Sequence, residues 1–174
     1  MSADLSLLRS SFPLVNDHPD VAGALRDPNL LRVIATELAR PFRNLDVSAV
    51  MAPEARGPIL GSLVALELGA GLVLARKANS NHPGADIPVE SKPTWKGTSE
   101  HFIGRSFDLE ASDRVIIVDD WITTGNTIRA VGNMIRLLGA SYLGASILVN
   151  KASPETLEEL QVHTLVDFDV IMNR

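Results

Sequence analysis

Short apolar segments alternate with amphipathic segments along most of this sequence, and that alternation limits the possible folds more than any other feature. Strands that alternate with amphipathic helices form a parallel sheet with helices packed on its faces. We therefore predict an α/β fold with a parallel sheet. The predicted strands are residues 47–52, 72–75, 115–118, 142–149 and 162–166. The predicted helices run from residue 28 to a stop at Pro41, and over residues 59–68, 128–138 and 154–160.

Two regions of the chain lack this pattern. Pro13, Pro19 and Gly23 interrupt any long period before Asp27, so we expect an irregular N-terminal segment. Residues 79–113 contain three prolines and many polar residues, with little sustained period. A segment this long without clear structure is usually a functional flap or a linker, although a short antiparallel ribbon inside it stays open. The full chain, residues 1–174, has the length of a single domain.

The composition excludes several classes of protein. The net charge is −5, so the chain has no general attraction for nucleic acid, and no apolar run reaches the ~20 residues that cross a bilayer. The chain has no cysteine, which excludes disulfides, thiolate zinc sites and a cysteine nucleophile, and agrees with a cytoplasmic location. The four histidines lack metal-ligand spacing. An anionic ligand would therefore need a local site made of backbone N–H groups, a helix N-terminus or a few basic side chains.

Residues 115–127 hold the groups best suited to such a site. Four apolar residues, typical of a central parallel strand, lead into Asp119 and Asp120. Ligands of open α/β sheets bind at the carboxyl ends of the strands, where ionised carboxylates can accept from sugar hydroxyls or bind a hydrated magnesium ion. A loop of small residues then precedes a helix, and its N–H groups and threonine hydroxyls can hold a phosphate. The loop residues are Thr123, Thr124, Gly125, Asn126 and Thr127.

Taken separately, the two aspartates could merely end a strand, and Thr127 could merely cap a helix. The segment is not a Walker A loop, because no Gly-Lys-Ser/Thr follows, and it lacks the Gly-x-Gly-x-x-Gly of a dinucleotide fingerprint. As a unit it resembles the phosphoribosyl pyrophosphate (PRPP) signature of type I phosphoribosyltransferases. The resemblance implies a Rossmann-like parallel sheet with flanking helices. It also implies that Asp119 and Asp120 hold the ribose 2′- and 3′-hydroxyls, and that residues 123–127 wrap the 5′-phosphate.

A second resemblance lies upstream. Residues 27–77 are similar to the middle of adenine phosphoribosyltransferases, in the pieces Arg26-Asp27-Pro28, Glu54-Ala55-Arg56-Gly57, Leu66-Glu67-Leu68-Gly69 and Arg76-Lys77. In that family the loop equivalent to residues 53–57 receives pyrophosphate, and the Arg-Lys pair lies nearby. The basic side chains would suit an anionic leaving group, and Glu54 would orient Arg56. The predicted pyrophosphate-binding residues are therefore Ala55, Arg56, Gly57, Arg76 and Lys77.

The chain departs from that family at two places near the base. In the N-terminal hood, residues 1–27, Ala24-Leu25 stand where an aromatic residue is expected. In the flap, residues 79–113, Trp95-Lys96-Gly97-Thr98 replace a Glu-Tyr-Gly-Thr piece, so the loop carboxylate that assists proton transfer is missing there. Glu90 and Glu100 are candidate substitutes, and the sequence selects neither. Trp95 could stack on a base or anchor the flap.

The resemblance implies an enzyme that transfers the 5-phosphoribosyl group from PRPP to a nucleobase, with adenine favoured, and releases pyrophosphate. The predicted catalytic residues are Asp119, Asp120 and Arg56. Mg²⁺ would enter with PRPP and contact the two aspartates only through water, without direct protein ligands. The flap would close as a lid that excludes water, and the family implies a homodimer. Two alternatives stay open: another acceptor (xanthine, hypoxanthine or guanine), or a PRPP-sensing protein without catalysis.

Overall fold

The computed structural model describes residue 8, residues 10–92 and residues 99–173. We number the elements in chain order. The strands are β1 Leu14–Val15, β2 His18–Pro19, β3 Ala49–Pro53, β4 Gly71–Lys77, β5 Ile87–Glu90, β6 His101–Gly104, β7 Arg114–Ile122, β8 Ser141–Asn150 and β9 Val162–Asp167. The helices are α1 Val21–Arg26, α2 Pro28–Ala39, α3 Gly57–Leu68, α4 Asn126–Leu137, α5 Pro154–Glu159 and α6 Phe168–Met172, and a 3₁₀ turn Arg40–Phe42 follows α2.

A seven-stranded sheet organises the fold, with strand order β5-β6-β4-β3-β7-β8-β9. The five strands from β4 to β9 in this order are parallel, whereas β6 pairs antiparallel with both β4 and β5. All five predicted strands lie in the parallel part, so the prediction of an α/β fold with a parallel sheet and flanking helices is confirmed. Strands β3 and β7 are neighbours in the sheet, although β4, β5 and β6 lie between them in the chain.

Strand β7 lies at the centre of the parallel part, and its side chains divide the core into two layers. Ile116 and Val118 face a cluster that includes Leu30 and Ile34 of α2 and Leu60 of α3. Val115 and Ile117 face a second cluster on the other side of the sheet, which includes Val131, Met134 and Ile135 of α4. The four strand residues are fully buried. Helices therefore cover both faces, as a near-continuous apolar strand requires.

The strand prediction at residues 115–118 is too short. Strand β7 continues through Asp119, Asp120 and Trp121 to Ile122, because its last residues still pair with β8. A polar residue at the end of a buried strand interrupts the apolar pattern without interrupting the backbone ladder. The two aspartates therefore lie within the strand and have a fixed orientation.

The prediction of an irregular N-terminal segment is wrong for the described residues. Strands β1 and β2 form a small antiparallel pair, and helix α1 follows immediately. These elements are too short for a hydrophobic period to reveal them. They are fixed instead by apolar anchors, since Leu8, Phe12 and Ala24 are fully buried. Helix α2 then begins at Pro28, where the carboxylate of Asp27 caps the first turn by accepting from two backbone N–H groups.

The segment 79–113 contains the antiparallel ribbon that the sequence left open. Strands β5 and β6 extend the sheet at the β4 edge, and Phe102 anchors the ribbon in the core with 1% of its surface exposed. The replaced family piece, residues 95–98, lies outside the described residues, and the lid role of this segment stays a prediction. Within the described part of the chain, no helix has the length and apolar character needed to cross a bilayer.

Candidate active site

The two aspartates of β7 are both buried, with 9% and 7% of their surfaces exposed for Asp119 and Asp120. The backbone N–H of Asp120 donates to Oδ1 of Asp119 at 2.8 Å. The guanidinium of Arg56 forms an ion pair with the carboxylate of Asp120. The structure thus brings together the three side chains that we predict to be catalytic.

Burial raises the pKa of Asp119 well above its ordinary value, because the charged form is taken out of water. The neighbouring charge of Asp120 raises it further, and the charge of Glu100 adds a smaller contribution. One carboxylate of the pair therefore holds a proton more readily than an exposed aspartate does. A ligand that offers hydroxyl donors or a cation would reverse this, since either stabilises the ionised form.

The small-residue loop follows β7 directly and leads into α4. Gly125 adopts a left-handed conformation, with φ +73°, and the helix begins at the next residue. Residues 121–128, which include the loop and the first residues of α4, surround a small cavity of about 50 Å³. All five predicted loop residues, Thr123 to Thr127, line it. A cavity with this lining suits a phosphate group.

Arg129 of α4 forms a hydrogen bond to the backbone of this loop, a contact that the sequence analysis missed. Its Nη1 donates to the carbonyl of Thr124 at 2.7 Å. The other side of the guanidinium forms a two-point contact with Glu159, with N–O distances of 3.0 and 2.6 Å. Such forked pairs fix geometry as well as charge. The only available sequence signal was a basic residue one turn into the helix after the loop.

The opposite wall is the loop between β3 and α3, where Ala55 and Arg56 lie. The peptide between Glu54 and Ala55 is cis. Gly57 starts α3 against the end of β7, and a side chain there would lie 3.1 Å from the carbonyl oxygen of Val118 and 3.2 Å from Oδ1 of Asp119. A larger residue here would crowd these atoms by a few tenths of an ångström, so glycine favours the close approach of the loop to the acidic pair.

Glu54 organises the β4 side of the site, although it does so through Arg76 and not through Arg56 as the sequence suggested. Its Oε1 accepts from Nε of Arg76 at 2.5 Å, and its Oε2 accepts from the backbone of Lys77 at 2.9 Å and from the hydroxyl of Ser80 at 2.7 Å. Partial burial raises the pKa of Glu54, but these hydrogen bonds outweigh it and hold the pKa below its ordinary value. Arg56 is oriented instead by Asp120.

A larger cavity of about 340 Å³ connects these parts. Four acidic side chains line it: Glu54, Glu100, Asp119 and Asp120. The only basic side chains of its described lining are Arg56 and Lys77. Arg76 is not part of the described lining, and its guanidinium is engaged by Glu54 and by the carbonyl of Asn81 at 2.8 Å. The described lining is therefore acidic.

The structure distinguishes the two candidate flap carboxylates. Glu100 lines the larger cavity, where its Oε1 lies 3.2 Å from Nζ of Lys77 and its Oε2 accepts from Thr127 Oγ1 at 3.0 Å. The side chain of Glu90 is 58% exposed and faces His101 at 3.8 Å. Glu100 is therefore a member of the site, and Glu90 is not part of the cavity lining.

An aromatic group adjoins the cavity on the side of the N-terminal segment. Trp121 lines the cavity, and its ring centroid lies 6.1 Å from that of Phe168 in α6. His18 of β2 lies at the same centroid distance from Phe168, and Nζ of Lys151 lies 4.3 Å from the centre of the Phe168 ring. Sequence analysis did not identify Phe168, His18 or Lys151 as neighbours of Trp121, because they come from distant parts of the chain.

Comparisons with known proteins agree with this geometry. Residues 22–172 match the model of the phosphoribosyl transferase domain. The chain is 32% identical to an adenine phosphoribosyltransferase of Pectobacterium atrosepticum, over 93% of this chain and 92% of that protein. It is 33% identical to HGPRTase-like protein 1 of Halalkalicoccus jeotgali, over 88% of this chain and 83% of that protein.

Among solved structures, the fold is similar to a crystal structure of an adenine phosphoribosyltransferase from Rhodothermus marinus. The TM-score is 0.79 and the identity is 27%, over 94% of this chain and 97% of that one. The fold, the acidic pair at the end of β7 and these matches over most of the sequence lead to one conclusion. The chain belongs to the phosphoribosyltransferase family.

Proposed function

We propose that this protein transfers the 5-phosphoribosyl group of PRPP to a purine base in the cytoplasm, with adenine as the favoured acceptor and pyrophosphate as the second product. One observation carries the proposal. The buried acidic pair lies at the end of β7, in the lining of the larger cavity. The small cavity of the phosphate loop lies on one side of the pair, and Arg56 and Lys77 lie on the other. PRPP has the same order of groups: a 5′-phosphate, a diol and a pyrophosphate.

The residue roles follow from that order. Asp119 and Asp120 accept hydrogen bonds from the ribose 2′- and 3′-hydroxyls, and residues 123–127 hold the 5′-phosphate. The pyrophosphate lies against Arg56 and Lys77 and against the backbone of Ala55 and Gly57. Arg76 contributes positive charge from a second layer, since Glu54 engages its side chain.

The pair between Arg56 and Asp120 suggests how binding is coupled to catalysis. In the free chain each group compensates the charge of the other. When PRPP binds, Asp120 accepts hydrogen bonds from the ribose hydroxyls and Arg56 contacts the pyrophosphate. The two charges then lie on opposite sides of the bond between ribose and pyrophosphate, which is the bond that breaks. The carboxylates would then stabilise positive charge that develops on the ribose, and Arg56 would stabilise negative charge on pyrophosphate.

The residues of the site fit Mg²⁺ bound together with PRPP. The described cavity lining has four acidic and two basic side chains, so it repels a polyanion that arrives without countercharge. No three His, Cys, Asp or Glu side chains among the described residues are close enough together to hold a metal ion directly. Asp119 and Asp120 would hold the ion through its water molecules, as Mg²⁺ usually keeps several of them. The ion would supply charge neutralisation for the pyrophosphate.

The acceptor base would lie against the aromatic group formed by Trp121 and Phe168. The two rings, tilted by 52° to each other beside the cavity, offer apolar ring surface against which a purine can pack. Adenine is favoured because the matched relatives include adenine phosphoribosyltransferases. Hypoxanthine, guanine and xanthine are the competing acceptors, and the similarity to an HGPRTase-like protein is a specific reason to test them.

The test is an assay of pyrophosphate release from PRPP with Mg²⁺ and each of the four bases in turn. We expect turnover with adenine to exceed turnover with the other three. Turnover with another base alone would correct the acceptor but keep the reaction. PRPP-dependent thermal stabilisation without turnover would instead support a PRPP-sensing protein, and no stabilisation by PRPP would refute both functions.

A homodimer is part of the proposal, and the exposed face of α3 is the surface that suits it. Ile59 and Leu66, seven residues apart and therefore on one side of the helix, are 50% and 81% exposed on that face. Adjacent exposed apolar side chains of this size favour burial against a second copy.

Leu66→Glu tests this surface, because it places a charge in the centre of the proposed contact. We expect sedimentation equilibrium to show a dimer for the natural chain and a monomer for the variant. Leu137→Glu is the matched control: Leu137 is 68% exposed but lies on α4, on the other face of the sheet. A monomeric natural chain, or a dimer that survives Leu66→Glu, would contradict the proposal.

A further inference from the structure

Glu100 is held at the mouth of the site by its backbone. The backbone N–H of Ser91 donates to the carbonyl of Glu100 at 2.8 Å, and the N–H of Glu100 donates to Oγ of Ser91 at 2.9 Å. Ser91 is itself buried, with 5% of its surface exposed. The next residue, His101, starts β6 and accepts from the N–H of Ala78 at 2.9 Å. These contacts fix where the Glu100 side chain begins, so only its side-chain torsions can move the carboxylate.

The carboxylate of Glu100 bridges the two ends of the proposed PRPP site. It pairs with Lys77, which stands on the pyrophosphate side, at 3.2 Å. It also accepts from the hydroxyl of Thr127, which stands on the 5′-phosphate side, at 3.0 Å. A carboxylate and a phosphate are both anionic acceptors and seek the same partners. Glu100 therefore occupies, in the free chain, positions that phosphate oxygens need.

These contacts are exclusive. A threonine hydroxyl has one hydrogen to donate, so Thr127 cannot donate to Glu100 and to a phosphate at the same time. Lys77 has more donors but only one charge, and a carboxylate beside it weakens its attraction for a second anion. Glu100 must therefore move away before PRPP makes both contacts. Asp120 is also paired, with Arg56, but its proposed role is to accept from the ribose hydroxyls, whereas the proposed PRPP contacts include none with Glu100.

We propose that Glu100 lowers the affinity of the site for PRPP by acting as an internal anion that competes for Lys77 and Thr127. The inference rests on the proposed function, because it requires PRPP as the ligand. Glu100 is a positioning residue in this account: in the free chain it holds Lys77 and Thr127 in place, and it yields them to the ligand. The strength of this competition then sets how much PRPP is needed to fill the site.

The test is calorimetric titration of the full chain with Mg·PRPP, combined with steady-state kinetics. Glu100→Gln keeps the shape and an acceptor for Thr127 but removes the charge, and Glu100→Ala removes both contacts. Because the Lys77–Glu100 pair is about 40% exposed, its strength is that of a surface ion pair. We therefore expect Glu100→Gln to lower the Kd and the KM for PRPP by about three- to tenfold, and Glu100→Ala to lower them at least as much.

Glu90→Gln is the matched control, since it removes the same charge from the same ribbon at an exposed position outside the cavity. It should leave the Kd for PRPP within about twofold of the natural value, as expected for a surface charge. The kinetic signature is a fall in KM without a rise in kcat. A structural role for Glu100 would instead lower kcat or the melting temperature, and a ligand-binding role would raise KM.

The outcomes separate this inference from the proposed function. If the natural chain binds PRPP and both Glu100 variants bind it equally or more weakly, the inference is wrong and the function stands. If the natural chain shows no binding but Glu100→Gln does, the inference is supported in its strongest form. If none of the four proteins binds PRPP, both the inference and the proposed function are refuted.

Discussion

Gly125→Ala is the substitution with the largest predicted effect on the phosphate loop. Gly125 has φ +73°, and a left-handed conformation costs a residue with a side chain about 1–2 kcal/mol. The added Cβ would also lie 2.5 Å from Cδ1 of Leu160 and 2.9 Å from Cγ2 of Thr156. Moving these side chains adds about 1–3 kcal/mol, as in other overpacked sites. The total is about 3 kcal/mol, which for a chain of this size lowers the melting temperature by about 6–12 °C.

Gly69→Ala separates the two contributions. Gly69 has a similar φ of +67°, but a Cβ there meets no atom within 4 Å. It should therefore lose only the conformational contribution, about 1 kcal/mol or 2–4 °C. The assays are thermal unfolding and titration with Mg·PRPP: Gly125→Ala should also bind PRPP much more weakly, whereas Gly69→Ala should bind normally. Equal losses of stability, or unchanged PRPP binding by Gly125→Ala, would refute this reasoning.

Two further predictions concern the surroundings of the site. The pKa of Asp119 is raised in the folded chain, so its protonated carboxyl adds to the free energy of unfolding. This contribution is complete below pH ~4 and is lost as the pH rises through the raised pKa. Asp119→Asn should therefore be more stable than the natural chain at pH 7–8 and no more stable near pH 4, as urea unfolding at several pH values would show; a constant difference would contradict the burial argument. Arg129→Gln removes the fork behind the phosphate loop and should raise the Kd for PRPP by about tenfold. Arg136→Ala, which removes an exposed guanidinium from the same helix, should not raise it.

The sequence predicted the central part of the fold because buried parallel strands and amphipathic helices leave strong periodic patterns. Residues 115–118 are an example, since an apolar run of this kind has few other environments. The N-terminal pair β1–β2 and helix α1 were not predicted. They are short, and Leu8 and Phe12 secure them through tertiary contacts that no local pattern records.

The site shows the same division. Asp119, Asp120 and the following loop could be recognised because they are contiguous, and a strand followed by a helix N-terminus gives them a common direction. The roles of Glu54, Glu100 and Arg129 could not be assigned from the sequence. Each role depends on a hydrogen-bond partner that lies 26, 27 or 30 positions away in the chain, respectively. Pairing Glu54 with Arg56 was the natural guess from sequence proximity, but β4 brings Arg76 closer.

The most direct test of the central claim compares turnover by the natural chain and by the double variant Asp119→Asn, Asp120→Asn. Each would be incubated with PRPP, Mg²⁺ and the purine bases, with pyrophosphate release measured and circular dichroism used to confirm the fold. We predict nucleotide formation by the natural chain, and neither PRPP binding nor turnover by the folded double variant. Turnover retained by the double variant would show that the acidic pair of β7 is not the ribose-binding site.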